Sequence, residues 1–66
     1  MNREYMAETL RRLRGKKTQQ EVASSIGITV SSLSMYERGE RIPRDEVKKS
    51  IASFYGKSVH YIFFKE

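Results

Sequence analysis

The side chains of this sequence that could do chemistry are mainly hydroxyl, amide and guanidinium groups, and their order along the chain is informative. The stretch from Thr18 to Glu37 carries serine, threonine and glutamine but no lysine or arginine. Basic residues crowd on both sides of it, namely Arg11, Arg12, Arg14, Lys16 and Lys17 before it and Arg38, Arg41 and Arg44 after it. Neutral polar groups can read base edges while flanking cations hold phosphates, so this order favours a nucleic-acid-binding protein.

Other kinds of site have little support in the sequence. The chain has one histidine, His60, and no cysteine, which excludes disulfides and cysteine-based zinc sites and suits a reducing cytoplasm. It has no phosphate-binding loop and no evident acid partner for His60. We therefore expect no enzyme activity, no metal, no cofactor and no small-molecule ligand. No apolar run approaches membrane-spanning length and the N-terminus is too polar for a signal peptide, which predicts a cytoplasmic protein that contacts no membrane.

The length of 66 residues fits a single domain covering residues 1–66. A chain of this size buries only about 60% of its unfolded surface, so we expect modest stability. The net charge of +5 is weak evidence for a nucleic-acid partner by itself, because many small intracellular proteins are basic.

Apolar spacing and capping residues predict a compact all-α domain of five helices. Thr18 and Glu21 form a capping box, Thr29 and Ser58 are expected N-caps, and Gly27 can adopt the positive φ of a tight turn. The expected helices span residues 3–14, about 19–26, about 30–38 and about 44–55, with a short fifth helix after Ser58. The second and third helices form a helix-turn-helix at about 19–38.

The predicted core is the set of apolar residues that recur at helical spacing. It consists of Met6, Leu10, Leu13, Val22, Ala23, Ile26, Ile28, Leu33, Tyr36, Val47, Ile51, Phe54, Val59, Ile62 and Phe63.

Four sequence motifs in the expected order resemble the Cro/C1-type (Xre) helix-turn-helix family of phage repressors and small bacterial regulators. They are T-Q-x-E-V-A at Thr18–Ala23, S-I-G-I at Ser25–Ile28, S-x-x-S-x-Y-E-R-G at Ser31–Gly39 and R-I-P at Arg41–Pro43. The segment Tyr55–Phe63 is similar to the family's fifth-helix region. The resemblance implies a five-helix, lambda-repressor-like DNA-binding domain whose second motif helix enters the major groove.

The resemblance also implies positions for DNA contact. They are Gln19 and Gln20 at the start of the second helix, Val30, Ser31, Ser32, Ser34 and Met35 on the third, and Arg38, Arg41 and Arg44 near its end and in the following loop. Serine hydroxyls bond bases or phosphates with little preference, while Val30 and Met35 can pack on thymine methyl groups. Ser32 is expected at a backbone phosphate, and Arg41 or Arg44 could also reach a minor-groove edge.

Two further roles follow from the resemblance. Glu37 is expected to pair with Arg12 of the first helix and to brace the third helix, with Arg11 as an alternative partner. Because family dimers often meet around the fifth helix, Tyr61, Ile62 and Phe64 are candidates for a two-fold contact.

The leading hypothesis is a sequence-specific transcriptional regulator, a repressor acting as a homodimer on near-palindromic double-stranded DNA. The alternative is a protein-interaction module, such as an antitoxin or anti-repressor partner, in which Val30, Met35 and Phe64 contact protein. The Met1 start favours a small regulator of Cro-like size over an excised domain.

Overall fold

The computed structural model describes residues 2–65, and these residues form helices and turns without any β-strand. There are four α-helices, α1 (Arg3–Arg14), α2 (Gln19–Ile26), α3 (Val30–Glu37) and α4 (Asp45–Tyr55), followed by a C-terminal π-helix (His60–Phe64). The all-α class with five helical elements is therefore confirmed. None of the helices within residues 2–65 has the length and apolarity that crossing a membrane requires.

The starts of α2 and α3 are held by side-chain caps. Thr18 accepts a hydrogen bond from the Glu21 backbone N–H, and the Glu21 side chain accepts one from the Thr18 N–H, which completes the capping box. Thr29 caps α3 in the same way by accepting from the Ser32 N–H. Between the two helices, Gly27 has a left-handed φ of 91°, as the tight turn requires.

The later boundaries differ slightly from expectation. α3 ends at Glu37 with Arg38 as its C-cap, and α4 begins at Asp45, one residue later than expected. The fifth element is a π-helix, in which the Lys65 N–H donates to the His60 carbonyl at 2.9 Å. Val59 directly precedes this helix and makes no side-chain cap, but the Ser58 hydroxyl oxygen one residue earlier accepts from the Tyr61 N–H at 3.0 Å.

The core lies where α1, α3, α4 and the π-helix meet. Its fully or nearly buried members are Met6, Leu10, Tyr36, Ile51, Ala52, Ile62 and Phe63, and a second cluster of Val22, Ala23 and Leu33 joins α2 to α3. The other expected core residues Leu13, Ile26, Ile28, Val47 and Val59 are half-buried and pack against these clusters. The sequence thus predicts most of the apolar helix faces that form the core and hold α3 in place.

The prediction that Phe54 belongs to the core is wrong. Its side chain is 37% exposed, whereas Ile51 and Ala52 on the same helix are buried. At 100° per residue, the buried face of α4 is centred between Ile51 and Tyr55, which places Phe54 at its edge. Its ring lies edge-on against Tyr55, with the two centroids 5.1 Å apart.

Candidate nucleic-acid interface

α3 is anchored from behind and open in front. Leu33 has no exposed surface and Tyr36 is 7% exposed, so both side chains fix the helix on the core. On the other side Ser31 is exposed, and Ser34 and Met35 are half-buried. Within residues 2–65, Ser31 is open to solvent and Ser34 and Met35 keep part of their surface accessible. The helix is therefore held rigidly while its outer face remains accessible.

The first turn of α3 has an ordered set of hydroxyl groups. The Thr29 hydroxyl donates to the Ser32 hydroxyl oxygen at 3.0 Å, while the Thr29 oxygen accepts from the Ser32 N–H. Because Ser32 accepts this bond, its own proton remains available to an acceptor outside the protein. Val30 follows the cap directly and is half-buried.

The two glutamines that open α2 are held by neighbouring side chains. Gln19 donates through Nε2 to Glu37 Oε1 at 2.9 Å, and Gln20 donates through Nε2 to the Ser24 hydroxyl at 2.9 Å. The Gln19 amide thus supports α3. The first-turn backbone N–H groups of an α-helix lack intrahelical partners, and they are what this end of α2 offers to a phosphate.

Glu37 is braced by α1, but the prediction that Arg12 is its ion-pair partner is wrong. Arg14 Nε lies 2.8 Å from Glu37 Oε2, and Glu37 is only 2% exposed. Arg11, the expected alternative, donates instead to the Glu37 backbone carbonyl. The side-chain hydrogen bond with Glu37 and its negative charge raise the pKa of the Arg14 guanidinium.

Helix geometry explains the change of partner. Arg14 comes four residues after Leu10, whose side chain is fully buried, so both side chains point to the same face of α1. Arg12 is turned about 200° from Leu10 and points elsewhere. The i, i+4 relation to an expected core residue is the signal in the sequence that could have identified Arg14.

Tyr55 lies near this ion pair and packs against the buried cluster that contains Leu33 of α3. Its hydroxyl oxygen is buried without a hydrogen-bond partner within residues 2–65. Burial, together with the negative charge of Glu37, raises the pKa of Tyr55 to about 12.

Arg12 joins α1 to the C-terminal π-helix. Its Nη2 donates to the Tyr61 hydroxyl oxygen at 3.1 Å, and this hydrogen bond lowers the pKa of Tyr61. The Tyr5 hydroxyl donates to the Tyr61 carbonyl. The polar groups of Tyr61 are therefore engaged within the chain.

The three dimer candidates differ in their exposure. Ile62 is fully buried in the core, so its assignment as a contact between copies of the chain is wrong. Phe63, the next residue, is also fully buried, whereas Phe64 is 43% exposed. Lys48 Nζ lies 4.9 Å from the Phe64 ring centroid, and Tyr61 is half-buried.

Arg38 is held by an acid that the sequence analysis did not single out. Its Nε and Nη2 atoms lie 2.9 and 3.1 Å from the two carboxylate oxygens of Glu40, and its Nη1 donates to the Ser34 hydroxyl oxygen. This two-point ion pair raises the pKa of Arg38 and lowers the pKa of Glu40, in each case chiefly through the hydrogen bonds between them. In the sequence, Glu40 follows Arg38 by two residues at the end of α3, and this spacing was the available sign of the pair.

Arg41 and Arg44 lie at a groove beside the turn of the motif. The groove has a volume of about 450 Å³, and Thr29 and Ser32 line it together with these two arginines. Both arginine residues are exposed. Cations and hydroxyl groups at one groove next to the outer face of α3 suit the backbone of a DNA strand.

Comparison with known proteins agrees with this geometry. A family model described as Helix-turn-helix matches residues 9–62, which include α2, α3 and the turn between them. No curated protein and no solved structure matches the chain significantly. The extent of the match, the capped helix pair with its glycine turn and the accessible face of α3 show that this chain belongs to the Cro/C1-type (Xre) family of helix-turn-helix DNA-binding regulators.

Proposed function

We propose that the chain is a transcriptional repressor that binds a near-palindromic operator as a homodimer. The observation that carries the proposal is the arrangement of α3, which is fixed by Leu33, Tyr36 and Glu37 while Ser31 faces solvent. A rigid helix with an open outer face can enter a major groove without ordering itself first. A repressor acts when such a protein occupies DNA that the polymerase needs.

The side chains of the outer face support readout of bases by contact and by shape. Ser31, Ser34 and the apolar side chains of Val30 and Met35 provide small hydrogen-bonding groups and methyl contacts, so each base is read weakly. Arg41 and Arg44 supply the phosphate contacts that set the position of the helix on the duplex. Gln19 and Gln20 contribute through the N-terminus of α2.

We infer the two-fold arrangement from the way helix-turn-helix proteins place two recognition helices on DNA. Two copies of α3 must lie roughly 34–36 Å apart to enter successive major grooves, so the operator should consist of two inverted half-sites. Phe64 is the exposed aromatic residue of the π-helix, and we assign the contact between the two copies to the surface around Phe64 and Tyr61.

Selection of duplexes from a random pool, at controlled salt, tests the proposal. We expect enrichment of an inverted repeat, bound with two chains per duplex, and an affinity whose log–log salt slope is about −0.9 for each phosphate neutralised. An Arg41→Gln variant should bind all sequences more weakly, with a slope shallower by about 0.9. Failure to enrich any sequence, or binding that does not respond to salt, would reject the proposal.

A further inference from the structure

The groove beside the turn of the motif continues along α4, beyond the part at which Arg41 lies. Three hollows form it, and each shares lining residues with the next. The middle hollow, with a volume of about 210 Å³, shares Ile28 with the hollow at Arg41 and Ile26 with a hollow at Phe54. The hollow at Phe54 lies between α2 and α4 and has a volume of about 390 Å³. This whole surface, the α4 groove, therefore connects the first turn of α3 with an exposed phenylalanine of α4.

Away from the arginines, the α4 groove has an apolar lining. Ile26, Ile28 and Val47 line it and are only half-buried. Phe54 is 37% exposed and, with Phe64, is one of the large hydrophobic residues left exposed within residues 2–65. A DNA backbone gains little from such side chains, whereas the centre of a protein–protein contact is typically aromatic and aliphatic. The apolar part of the α4 groove therefore favours a protein partner.

Basic side chains line the α4 groove at both of its ends. Arg41 and Arg44 lie at the end near α3, Lys49 lies beside Phe54, and the acid that lines the groove is Glu46. The three basic residues are exposed, and within residues 2–65 none of them forms an ion pair. Cations around an apolar strip are complementary to carboxylates that flank an apolar side chain. A second copy of this chain, with its net charge of +5, matches such a surface poorly.

We propose that the α4 groove is a docking site for an acidic segment of a second protein, and that the bound segment excludes DNA. An apolar side chain of the segment packs on Phe54 and Ile26, while its carboxylates meet Arg41 and Arg44. These two arginines are the residues proposed to hold DNA phosphates, so one chain cannot bind the segment and DNA together. The docking itself does not depend on DNA binding, whereas the exclusion rests on the proposed function.

Selection of peptides tests the docking site. The wild-type chain selects binders from a displayed library of short random peptides, and fluorescence anisotropy measures the affinity of the enriched peptides. Phe54→Ser removes the apolar contact in the α4 groove, and Phe64→Ser is its matched control because it removes the same side chain from the π-helix. We expect peptides that combine an apolar residue with Asp and Glu. Their affinity should fall about tenfold or more in Phe54→Ser, as for an aromatic anchor of an interface, and stay unchanged in Phe64→Ser.

The double variant Arg41→Gln/Arg44→Gln tests the charged contacts separately. Its matched control is Lys16→Gln/Lys17→Gln, which removes the same charge from exposed residues outside the α4 groove. The groove variant should weaken peptide binding by about threefold to tenfold, as expected for two exposed ion pairs. The control should change it by less than about twofold, because charges outside a contact act only through screened long-range attraction.

Competition with DNA is measured on the operator duplex that the wild-type chain selects. The apparent dissociation constant of the duplex should rise in proportion to the concentration of free peptide, as it does when two ligands exclude each other. Phe54→Ser should bind the duplex as tightly as the wild type does, because Phe54 is outside the proposed DNA contacts. The same peptide concentration should displace much less of this variant from the duplex.

Four results would overturn the inference. The library could yield no peptide with acidic and apolar residues, Phe54→Ser could bind the peptides as tightly as Phe64→Ser does, the two double variants could lose the same affinity, or peptide and duplex could bind one chain together. None of these results decides whether the wild type selects an operator. A wild-type chain that enriches the expected peptides but no duplex would reject the proposed function and still support the docking site.

Discussion

Glu37 occupies an unusual position for a carboxylate, because it is only 2% exposed at the end of α3, the second helix of the motif. Its oxygens are bound by Arg14 Nε at 2.8 Å and Gln19 Nε2 at 2.9 Å, so α1 and the start of α2 both hold the end of α3. A buried charge with these partners is tolerated, but one that loses its cation is not. The ion pair therefore ties the position of α3 to the integrity of α1.

The first prediction at this scale compares two arginines of α1. Arg14→Met should lower the free energy of unfolding by about 3 kcal/mol, near the lower end of the range for a broken buried pair because the Arg14 side chain is 22% exposed. Arg12→Met removes a hydrogen bond to Tyr61 at the surface and should cost no more than about 1 kcal/mol. Urea unfolding followed by circular dichroism measures both, and equal losses would show that Arg14 does not brace Glu37.

At the scale of the elements, the glycines after α2 and α3 both have a positive φ but have different surroundings. Gly27 has φ 91° and a Cβ at this position would meet no atom within 4 Å. Gly39 has φ 71°, and a Cβ there would lie 3.1 Å from the Arg3 carbonyl oxygen of α1. The turn of the motif thus requires glycine for its φ alone, whereas the turn after α3 also requires it for close contact with α1.

These surroundings predict different costs for the same substitution. Gly27→Ala should destabilise the fold by about 1–2 kcal/mol, the cost of a left-handed conformation for an L-residue. Gly39→Ala carries the same strain and must also push the backbone of α1 away, which adds about 1–3 kcal/mol. Thermal melts of the two variants measure the difference. Equal melting temperatures would contradict the close approach of Gly39 to Arg3.

Elements whose determinants are local could be predicted from the sequence, and elements that depend on packing could not. The Thr18 and Thr29 caps act within three residues, so their positions predict the starts of α2 and α3 correctly. The π-helix differs from an α-helix in which carbonyl each N–H reaches. The residue types around Lys65 do not reveal that its N–H bonds to the His60 carbonyl. The partner of Glu37 likewise depends on how α1 is rotated against α3.

At the scale of the whole molecule, two of the cations that follow α3 in the sequence lie beside the first turn of that helix. Arg41 and Arg44 lie with Thr29 and Ser32 at one groove. The sequence therefore predicts which residues could contact DNA, because helix spacing determines the open face. It does not predict that Gln19, Arg38 and Ser34 are already hydrogen-bonded to other side chains, since those contacts depend on tertiary structure.

The two exposed phenylalanines allow the proposed dimer to be tested with an internal control. Phe64 on the π-helix is 43% exposed and Phe54 on α4 is 37% exposed, so the substitutions Phe64→Ser and Phe54→Ser remove similar apolar surfaces. Phe54 lines a different groove, with Ser25 and Ile26 of α2. Only the surface around Phe64 is assigned to the contact between two chains.

Phe64→Ser should raise the dissociation constant of the dimer at least about a hundredfold, because each of the two chains loses an aromatic contact of about 1.4 kcal/mol or more. Phe54→Ser should leave it unchanged. Sedimentation equilibrium measures the dimer directly, and duplexes carrying one or two half-sites test its consequence. Because α3 itself is untouched, the Phe64→Ser variant should bind a duplex with one half-site as tightly as the wild type does. It should lose the additional affinity that the wild type shows for a duplex with two half-sites. If both variants dimerise equally well, or if half-site binding falls by the same factor as full-site binding, the two chains meet elsewhere on the molecule.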